Sequence, residues 1–506
     1  MNAVTFVPRL QLEVEGSPLD EAIAGTLSAL RVQHRLSQPS LCELTFTSVR
    51  GSLDAASALT VGKMLKVDVT GQDDALFAGQ VTGVEYLYTV DGERQIRVRA
   101  YDLLHRLRKN QTVRAHVQVS VRDLAAELVS GTGLSVEAME NGPMWPHLVQ
   151  HRQSDFELLV TAAERCGLYL TIRDDTLHLL TLEGKGDPVS LTLGQDLIEA
   201  RVELNADAAV DKVTAVGWNP ALVEAHDGNA ASARSGRSVG VEVFAATVGG
   251  GQSRALVDEV APTDDHADGL ARAELDRRVA RTVVFHGLAE GNAALHPGRP
   301  VEIEGLATEI CGTYIVTSVI HTFDSRSGFL SELSSEPPVH QARTYGAFAT
   351  IGVVTRVDDP QGLARVCVKM PAYDDIESPW LGVVLPAAGP AKGLIALPDV
   401  EDKVLVVSLD GDPSRGFVIG GLYGTTEPPD TGVVGGTVKR FTFKTAGGQF
   451  LRLDDEGNLL RVETDGGSYV EIAPSSMRIH AESDLTIEAP GKRVRIRGQA
   501  IDFERG

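Results

Sequence analysis

The chain of 506 residues alternates apolar and polar positions in short segments, most regularly from about 447 to 503. Alternation over a few residues predicts a strand with one buried and one solvated face, and an even, short spacing predicts stacked strands. Asp, Gly, Ser and Pro fill the gaps, as turns require. The alternating pairs are Leu451/Leu453, Leu460/Val462, Val470/Ile472, Met477/Ile479, Leu485/Ile487, Val494/Ile496 and Ile501/Phe503.

Each of these repeats offers too few apolar side chains to bury a core alone. The missing wall must come from neighbouring repeats or from other chains, and three chains around an axis would supply it. We therefore predict a trimeric β-prism or β-helix needle over 439–506. Its core and trimer interface are predicted to contain Val470, Ile472, Ile479, Leu485, Ile487, Val494 and Ile496.

Upstream, the pattern predicts mainly strands over about 1–105 and again over about 190–335, with a helical insert over about 105–185 between them. An Asp91-Gly92 turn before the alternating segment 95–100 indicates a hairpin.

Helix signals are clearest in the insert. Ser120 is predicted to cap a helix over 121–129, with Asp123 at the capping-box position. Ser154 or Asp155 is predicted to cap a second helix that ends at Gly167.

Three further segments divide the rest of the chain. A helix is expected near 264–280, and the Ala-, Gly-, Ser- and Asn-rich segment 221–240 is expected to be a mobile loop. A linker at 334–338 precedes a compact all-β unit over 345–426, and a Pro- and Gly-rich break at 427–436 separates that unit from the needle.

The charge of the chain narrows the classes of partner. Its net charge of −22 argues against nucleic acid, which needs clustered Lys and Arg, and against stable insertion in an anionic membrane. The four cysteines form no CxxC pair and are expected to be free thiols. The N-terminal residues lack a signal-peptide pattern, and no apolar run reaches membrane-spanning length, so synthesis in the cytoplasm without a signal peptide is expected.

The all-β unit resembles the OB-fold domain of VgrG-type and phage baseplate spike proteins. Its short strands and Gly/Pro turns are also what a small barrel requires. The segments that carry the resemblance are Ile351-Gly352-Val353-Val354-Thr355, Asp359-Pro360-Gln361-Gly362, Ser378-Pro379-Trp380-Leu381, Leu397-Pro398-Asp399-Val400, Asp402-Lys403-Val404-Leu405-Val406, Gly411-Asp412-Pro413 and Val418-Ile419-Gly420-Gly421-Leu422-Tyr423.

The upstream part is similar to the hub domain of the same family. The matching segments are Gln153-Ser154-Asp155-Phe156-Glu157-Leu158-Leu159, Ala162-Ala163-Glu164-Arg165-Cys166-Gly167-Leu168, His296-Pro297-Gly298-Arg299-Pro300-Val301 and Gly312-Thr313-Tyr314-Ile315-Val316-Thr317-Ser318. The resemblance is weak over 1–60 and 221–260.

The resemblance implies a homotrimeric spike of a contractile injection machine. Its hub, over 1–335, would contain two linked β barrels, over about 1–105 and 190–335, and would form a pseudo-sixfold ring that matches the hexameric inner tube. Its OB barrel would form a collar, and its needle would pierce the target envelope. The implied partners are inner-tube and baseplate proteins. With no appended domain in its 506 residues, the chain is similar to the minimal spike of an extracellular injection particle or a prophage-derived relative, assembled into a phage-tail-like particle.

The end of the needle is expected to need a separate cap. His480 stands alone, without the His-x-His pair that binds iron in some short spikes, and is expected to face outward. Strands around Ile501 and Phe503 would leave open edges at the tip. The resemblance implies a PAAR-type tip protein there, which in some relatives brings a toxin cargo.

The basic segment 492–497 has two interpretations: an electrostatic handle for the cap or a cargo, or ordinary charged outward positions.

No catalytic, cofactor-binding or metal-binding residue is predicted, and the chain is expected not to be an enzyme. Gly251-Gln252-Ser253-Arg254-Ala255 imitates half of a nucleophile elbow but lacks the second Gly. Two alternatives from other classes stay open: a trimeric glycan-binding or glycan-cleaving tailspike, and a secreted effector that uses the spike as its chassis.

Overall fold

The computed structural model describes residues 8–47, 58–90, 94–219, 222, 224–249, 253–339 and 346–504. Strands contain 43% of the chain and helices 12%, which confirms the mainly β fold. The chain forms two compact units, 1–422 and 423–506.

The N-terminal β region of the first unit contains seven strands and one short helix, α1 (Glu21–Ala24). Its interior is apolar, with Leu44 and Val67 fully buried. Strands β6 and β7 pair antiparallel, as the hairpin prediction requires, and the turn at 91–93 lies outside the described residues. The strands are β1 (Leu10–Val14), β2 (Ser17–Pro18), β3 (Leu27–Arg35), β4 (Leu41–Thr47), β5 (Met64–Val69), β6 (Phe77–Tyr88) and β7 (Arg94–Tyr101).

The helical insert follows. The predicted capping box of α2 is present, and the predicted N-cap of α3 also forms a capping box. Ser120 caps α2 reciprocally with Asp123, and Ser154, rather than Asp155, caps α3 reciprocally with Glu157. The elements are a 3-10 helix (Leu103–Arg108), β8 (Arg114–Val119), α2 (Val121–Leu128), β9 (Ser135–Ala138), β10 (Trp145–Gln150), α3 (Asp155–Glu164), β11 (Tyr169–Arg173) and β12 (Thr176–Leu180).

The second β region contains the expected long helix α4. Its elements are β13 (Val189–Thr192), β14 (Leu197–Leu204), β15 (Lys212–Asn219), β16 (Glu224–Ala230), β17 (Ser238–Val239), a 3-10 helix (Ala245–Val248), β18 (Ser253–Glu259), α4 (Asp264–Thr282), β19 (Val283–Glu290), β20 (Pro300–Glu304), β21 (Gly312–Ile315), β22 (Ser318–Asp324) and β23 (Gly328–Ser334).

The prediction of a mobile loop over 221–240 is wrong for its described residues. Strand β16 lies there and pairs with β15. A Cβ on Gly228 would collide with the α4 backbone at Ala267, so the small residues allow the helix to cross the strand closely. Arg234 is also held, because its guanidinium bonds to the carboxylates of Asp276 and Glu140. The segment is rich in small residues, as loops are, but the small residues here allow helix α4 to pack closely on strand β16.

One sheet of eleven strands joins the two β regions, in the order β14-β19-β23-β22-β3-β4-β7-β6-β5-β1-β2. The join is the antiparallel pair β3–β22, in which Ser318 lies opposite Arg35 and Asp324 opposite Ala29. The N-terminal strands therefore continue the same hydrogen-bonded sheet as the strands of the second region.

Three histidines lie at this join, and we call His34, His296 and His321 the histidine junction. The rings of His34 and His321 are 5.7 Å apart. Burial lowers the pKa of His34 and His296 to about 4 and that of His321 to about 3, so all three are neutral at pH 7. Arg173 donates to His296 Nε2 at 2.6 Å and further disfavours a second proton on that ring.

The last part of the first unit is a closed barrel. Strand order β24-β28-β29-β27-β25 is completed by pairing of β24 with β25, which confirms the OB-type barrel. Its core includes Val354, Val366, Val404 and Val418, all fully buried. The elements are β24 (Phe348–Arg356), β25 (Arg365–Met370), a 3-10 helix (Pro371–Tyr373), β26 (Ile376–Glu377), β27 (Leu381–Val383), β28 (Lys403–Ser408) and β29 (Gly416–Gly421).

The Asp359-Pro360-Gln361-Gly362 motif forms the loop between β24 and β25. The Asp359 carboxylate accepts two hydrogen bonds from the Arg365 guanidinium, at 2.7 and 2.9 Å, and one from the Leu363 N–H. The hydrogen bonds from Arg365 hold the pKa of Asp359 well below its usual range. The loop is thereby fixed to the barrel by a bidentate pair.

The second unit is an antiparallel meander with a tail. Strands β32–β36 form one five-stranded sheet in chain order. No strand is found between 481 and 504, so strands expected at 485–487, 494–496 and 501–503 are not formed within one chain. A strand needs a neighbour for its N–H and C=O groups, and this chain offers none there. The strands are β30 (Val433–Val434), β31 (Thr437–Val438), β32 (Arg440–Lys444), β33 (Phe450–Asp454), β34 (Leu459–Glu463), β35 (Tyr469–Ala473) and β36 (Ser476–His480).

Candidate functional site

One face of the five-stranded sheet is apolar, and we call it the apolar face. Its side chains form two rows across the strands, because directly opposed residues share a face. One row is Phe441, Leu453, Leu460, Ile472 and Met477, and the other is Phe443, Leu451, Val462, Val470 and Ile479.

The apolar face is uncovered in the single chain. Ile472 is 45% exposed and Ile479 56%, although fully buried positions are usual for isoleucine. Large contiguous apolar patches are uncommon on ordinary monomers and mark surfaces that bind other proteins. The apolar face therefore has the composition of a protein-binding surface.

The opposite face is polar and internally bonded. The Arg461 guanidinium bonds to Glu463 at 2.5 Å and to Glu471 at 3.0 Å, and it lies 4.0 Å over the Tyr469 ring. Tyr469 stacks on the His480 ring with centroids 5.0 Å apart. These contacts hold the outer side chains of β34–β36 in place.

The start of the sheet is held by Asp430. Its carboxylate accepts hydrogen bonds from the Arg440 guanidinium at 2.9 and 3.1 Å and from the Thr442 hydroxyl at 2.9 Å. Hydrogen bonds from Arg440 are the main reason that the pKa of Asp430 lies well below its usual range. Asp430 stays charged at neutral pH and ties the segment before the sheet to β32.

The structure separates the predicted interface residues into two groups. Val470, Ile472 and Ile479 lie on the apolar face. The others, together with the tip residues Ile501 and Phe503, lie in the strand-free segment 481–504 and are exposed; they are Leu485, Ile487, Val494 and Ile496.

Sequence reasoning left Phe441 and Phe443 out of the interface. They belong to the apolar face and are 64% and 48% exposed. The alternation Phe441-Thr442-Phe443 carries the same period-two signal as the later pairs and could have identified them.

Among the described residues, no group of three or more His, Cys, Asp or Glu side chains is arranged to hold a metal ion. Ser253 begins β18, and residues 250–252 of the candidate nucleophile elbow lie outside the described residues. His480 is exposed, as predicted, and contacts Glu482 at 2.9 Å.

A cleft of about 730 Å³ lies over β3, β4, β6 and β7. Its two glutamates are engaged, because Glu43 pairs with Arg31 and Arg99 and Glu85 pairs with Arg97. The cleft contains one aromatic side chain, and a glycan-cleaving groove would need stacked aromatic rings beside free carboxylates. The cleft therefore gives the tailspike alternative no support.

Two sequence-family models match the chain. A model described as the Alg8 N-terminal domain matches residues 8–325, and one described as the type VI secretion system/phage-baseplate injector OB domain matches residues 350–423. The search of curated proteins returns no match.

Solved structures share the fold at low identity. An Escherichia coli type VI secretion protein, described as similar to T4 tail proteins gp27 and gp5, is 12% identical, with a TM-score of 0.55 over 81% of this chain and 99% of that one. A Francisella PdpA–VgrG complex is 9% identical, with a TM-score of 0.56 over 95% and 89%. The 43 kDa tail protein of a Shewanella oneidensis prophage is 15% identical, with a TM-score of 0.50 over 65% and 98%.

The family match over 350–423 and the shared fold confirm the resemblance to VgrG-type and phage-baseplate spike proteins that the sequence motifs indicate. The Alg8 N-terminal domain model spans more than half of the chain. The chain therefore belongs to the Alg8 N-terminal domain family. Within the described residues, no helix is both long and apolar enough to span a bilayer.

Proposed function

We propose that the chain is the homotrimeric spike of a contractile injection machine, which links the inner tube to the tip and pierces the target envelope. The observation that carries the proposal is the apolar face. Three such faces turned towards one axis would bury both rows of side chains and make a prism with polar outer walls.

The segment 481–504 supports association of copies independently. Among its described residues beyond Glu482, one backbone hydrogen bond is recorded, from the Lys492 N–H to the Ala489 carbonyl. Its alternating pairs, such as Val494 and Ile496, need strands on both sides to become rungs of a needle. Strands from two other copies would supply them, and three is the number that the VgrG resemblance implies.

Such a needle suits a mechanical role. Separating interlocked strands requires many backbone hydrogen bonds to break together, so a thin rod resists bending and unfolding under axial load. We infer that sheath contraction drives this rod through the envelope. The proposal therefore assigns the chain a structural role rather than an enzymatic one.

The proposal includes partners at both ends. The hub, residues 1–335, would contact the hexameric inner tube and other baseplate proteins. A PAAR-type tip protein would cover Ile501 and Phe503, the latter 91% exposed, and a toxin cargo would travel with it. The Francisella structure is named as a complex of VgrG with PdpA, which supports a protein partner for this chain too. We propose that the protein is made in the cytoplasm and assembled into a phage-tail-like particle.

Light scattering on the purified full-length protein tests the proposal. We expect a mass about three times the 54.0 kDa of one chain, resistant to mild heating in detergent. Ile487→Asp should prevent that species from forming, because three carboxylates would be buried near the axis. A well-folded monomer of the unaltered protein at micromolar concentration would overturn the proposal.

A further inference from the structure

The polar face of the second unit has a charge pattern that its apolar face does not explain. Arg461 on β34 lies directly opposite Glu471 on β35, and Glu471 lies directly opposite Arg478 on β36. The first of these pairs is a salt bridge at 3.0 Å. From β34 to β36 the strands therefore present alternating signs to each other, and complementary charges stabilise cross-strand pairs whereas like charges destabilise them. The alternation begins at β34, because Arg452 on β33 lies opposite Arg461.

The sequence continues the alternation beyond the last strand. The outward positions of the next three repeats are those that alternate with the apolar pairs. They are Asp484 and Glu488, then Arg493, Arg495 and Arg497, then Asp502 and Glu504. From β35 onward the sign of the charge thus changes with every repeat.

In the single chain these later charges are unused. No salt bridge is recorded for Arg493, Arg495 or Arg497 among the described residues, whereas Arg440 and Arg461 in the same unit both have carboxylate partners. All three unused arginines are exposed. The acidic repeats that would pair with them are present in the same segment, but no ladder brings them together.

We propose that these charges set the register between copies of the chain: the arginine repeat of one copy lies between the acidic repeats of its neighbours. This inference rests on the proposed trimer and states which side chains would fix the register of its strands. A slip by one repeat would place arginines beside arginines and carboxylates beside carboxylates. Apolar pairs alone do not prevent such a slip, because every repeat offers a similar apolar pair.

The charge balance of the segment favours a second copy over an external acidic partner. Residues 484–504 contain four acidic side chains and four basic ones, since Lys492 accompanies the three arginines. If the basic segment 492–497 bound an acidic cap or cargo, it would need excess positive charge after the needle has formed. Here the flanking repeats hold an equal number of carboxylates, so the segment is self-complementary.

A charge-exchange experiment on the full-length protein tests the inference. The first variant reverses the basic repeat, as Arg493→Glu, Arg495→Glu and Arg497→Glu. The second adds the compensating changes Asp484→Arg, Glu488→Arg, Asp502→Arg and Glu504→Arg. Lys444→Glu is the matched control, since Lys444 lies on β32, outside the alternating repeats. Amide hydrogen exchange over 484–503 is measured at low salt, with the mass by light scattering.

We expect the first variant to remain a trimer through the apolar face and to lose protection over 484–503 by roughly tenfold or more, because three charges are reversed in every copy. The second variant should regain the protection, and Lys444→Glu should keep it. Raising salt to 1 M should narrow the difference, because screening then acts within about 3 Å.

Two outcomes would overturn the inference. One is undiminished protection in the first variant, and the other is no recovery in the second. If the unaltered protein is monomeric, both the proposed trimer and this inference are wrong. If it is trimeric but shows either outcome above, only the inference is wrong, so the mass of the unaltered protein distinguishes the two cases.

Discussion

The two units of this protein use the same alternating pattern and differ in what covers it. In the first unit, Leu44 and Val67 alternate with polar residues and are fully buried, because the chain supplies a second wall to each sheet. In the second unit, Ile472 and Ile479 alternate in the same way and remain about half exposed. The comparison teaches that the pattern defines which face is apolar, while the tertiary arrangement decides whether one chain can bury it.

The largest expected effect is the loss of association when a charge is placed on the apolar face. Ile472→Asp should abolish the trimer at micromolar concentration, because it buries three unpaired carboxylates. Light scattering measures the loss. Ser476→Asp is the control, since Ser476 lies on β36 on the polar side and should leave the mass unchanged. Equal effects of the two substitutions would contradict the assignment of faces.

The next effect is in the core that one chain completes. Leu44→Ala should lower the free energy of unfolding of the first unit by about 2–5 kcal/mol, independently of protein concentration. All three tryptophans lie before residue 423, so tryptophan fluorescence during urea unfolding reports on the first unit. Leu363→Ala, at an exposed position, should change the midpoint little. A midpoint that shifts with concentration would show that this core also depends on association.

Acid should destabilise the first unit through the histidine junction, which lies at the join of its two β regions. Because burial depresses the pKa of His34 to about 4, the folded state binds fewer protons than the unfolded state below about pH 6.5. The free energy of unfolding is therefore highest above pH 6.5 and decreases as the pH falls towards 4. The expected decrease at pH 5 is about 2 kcal/mol for each such histidine.

Urea unfolding at pH 7 and pH 5, followed by tryptophan fluorescence, measures this loss. His34→Gln should reduce the difference between the two pH values. An unchanged midpoint at pH 5 would mean that the histidine junction accepts protons without opening.

The smallest expected effect concerns the loop that Asp359 fixes. Arg365→Lys keeps the charge but loses the bidentate geometry, and should lower stability by about 1 kcal/mol. Arg356→Lys, on an exposed pair with Asp358, should leave the melting temperature unchanged. Thermal unfolding of both variants checks the difference, and an equal response would mean that the second hydrogen bond contributes nothing.

Local features were predictable from the sequence, and long-range pairings were not. Ser120 with Asp123 and the OB strands follow from nearby residues alone, and the structure contains them. The pairing of β3 with β22, and hence the meeting of His34 with His321, depends on distant segments whose register no local pattern records.

The candidate site was half predictable for a similar reason. The period-two pattern identified Val470, Ile472 and Ile479, which lie on the apolar face. It could not distinguish a repeat that pairs within the chain from one that has no neighbouring strand in the same chain, as in the segment 481–504. Alternation specifies faces, and the source of the neighbouring strand is a property of the assembly.

The apolar face also has a consequence for synthesis in the cell. It follows the first unit in chain order, so the first unit leaves the ribosome and can fold before Phe441 emerges. At about 5–20 residues per second, the remaining residues follow within roughly ten seconds. Nascent chains on one mRNA would then carry folded first units and exposed apolar faces close together. Association between these neighbouring chains would keep their apolar faces from binding unrelated proteins.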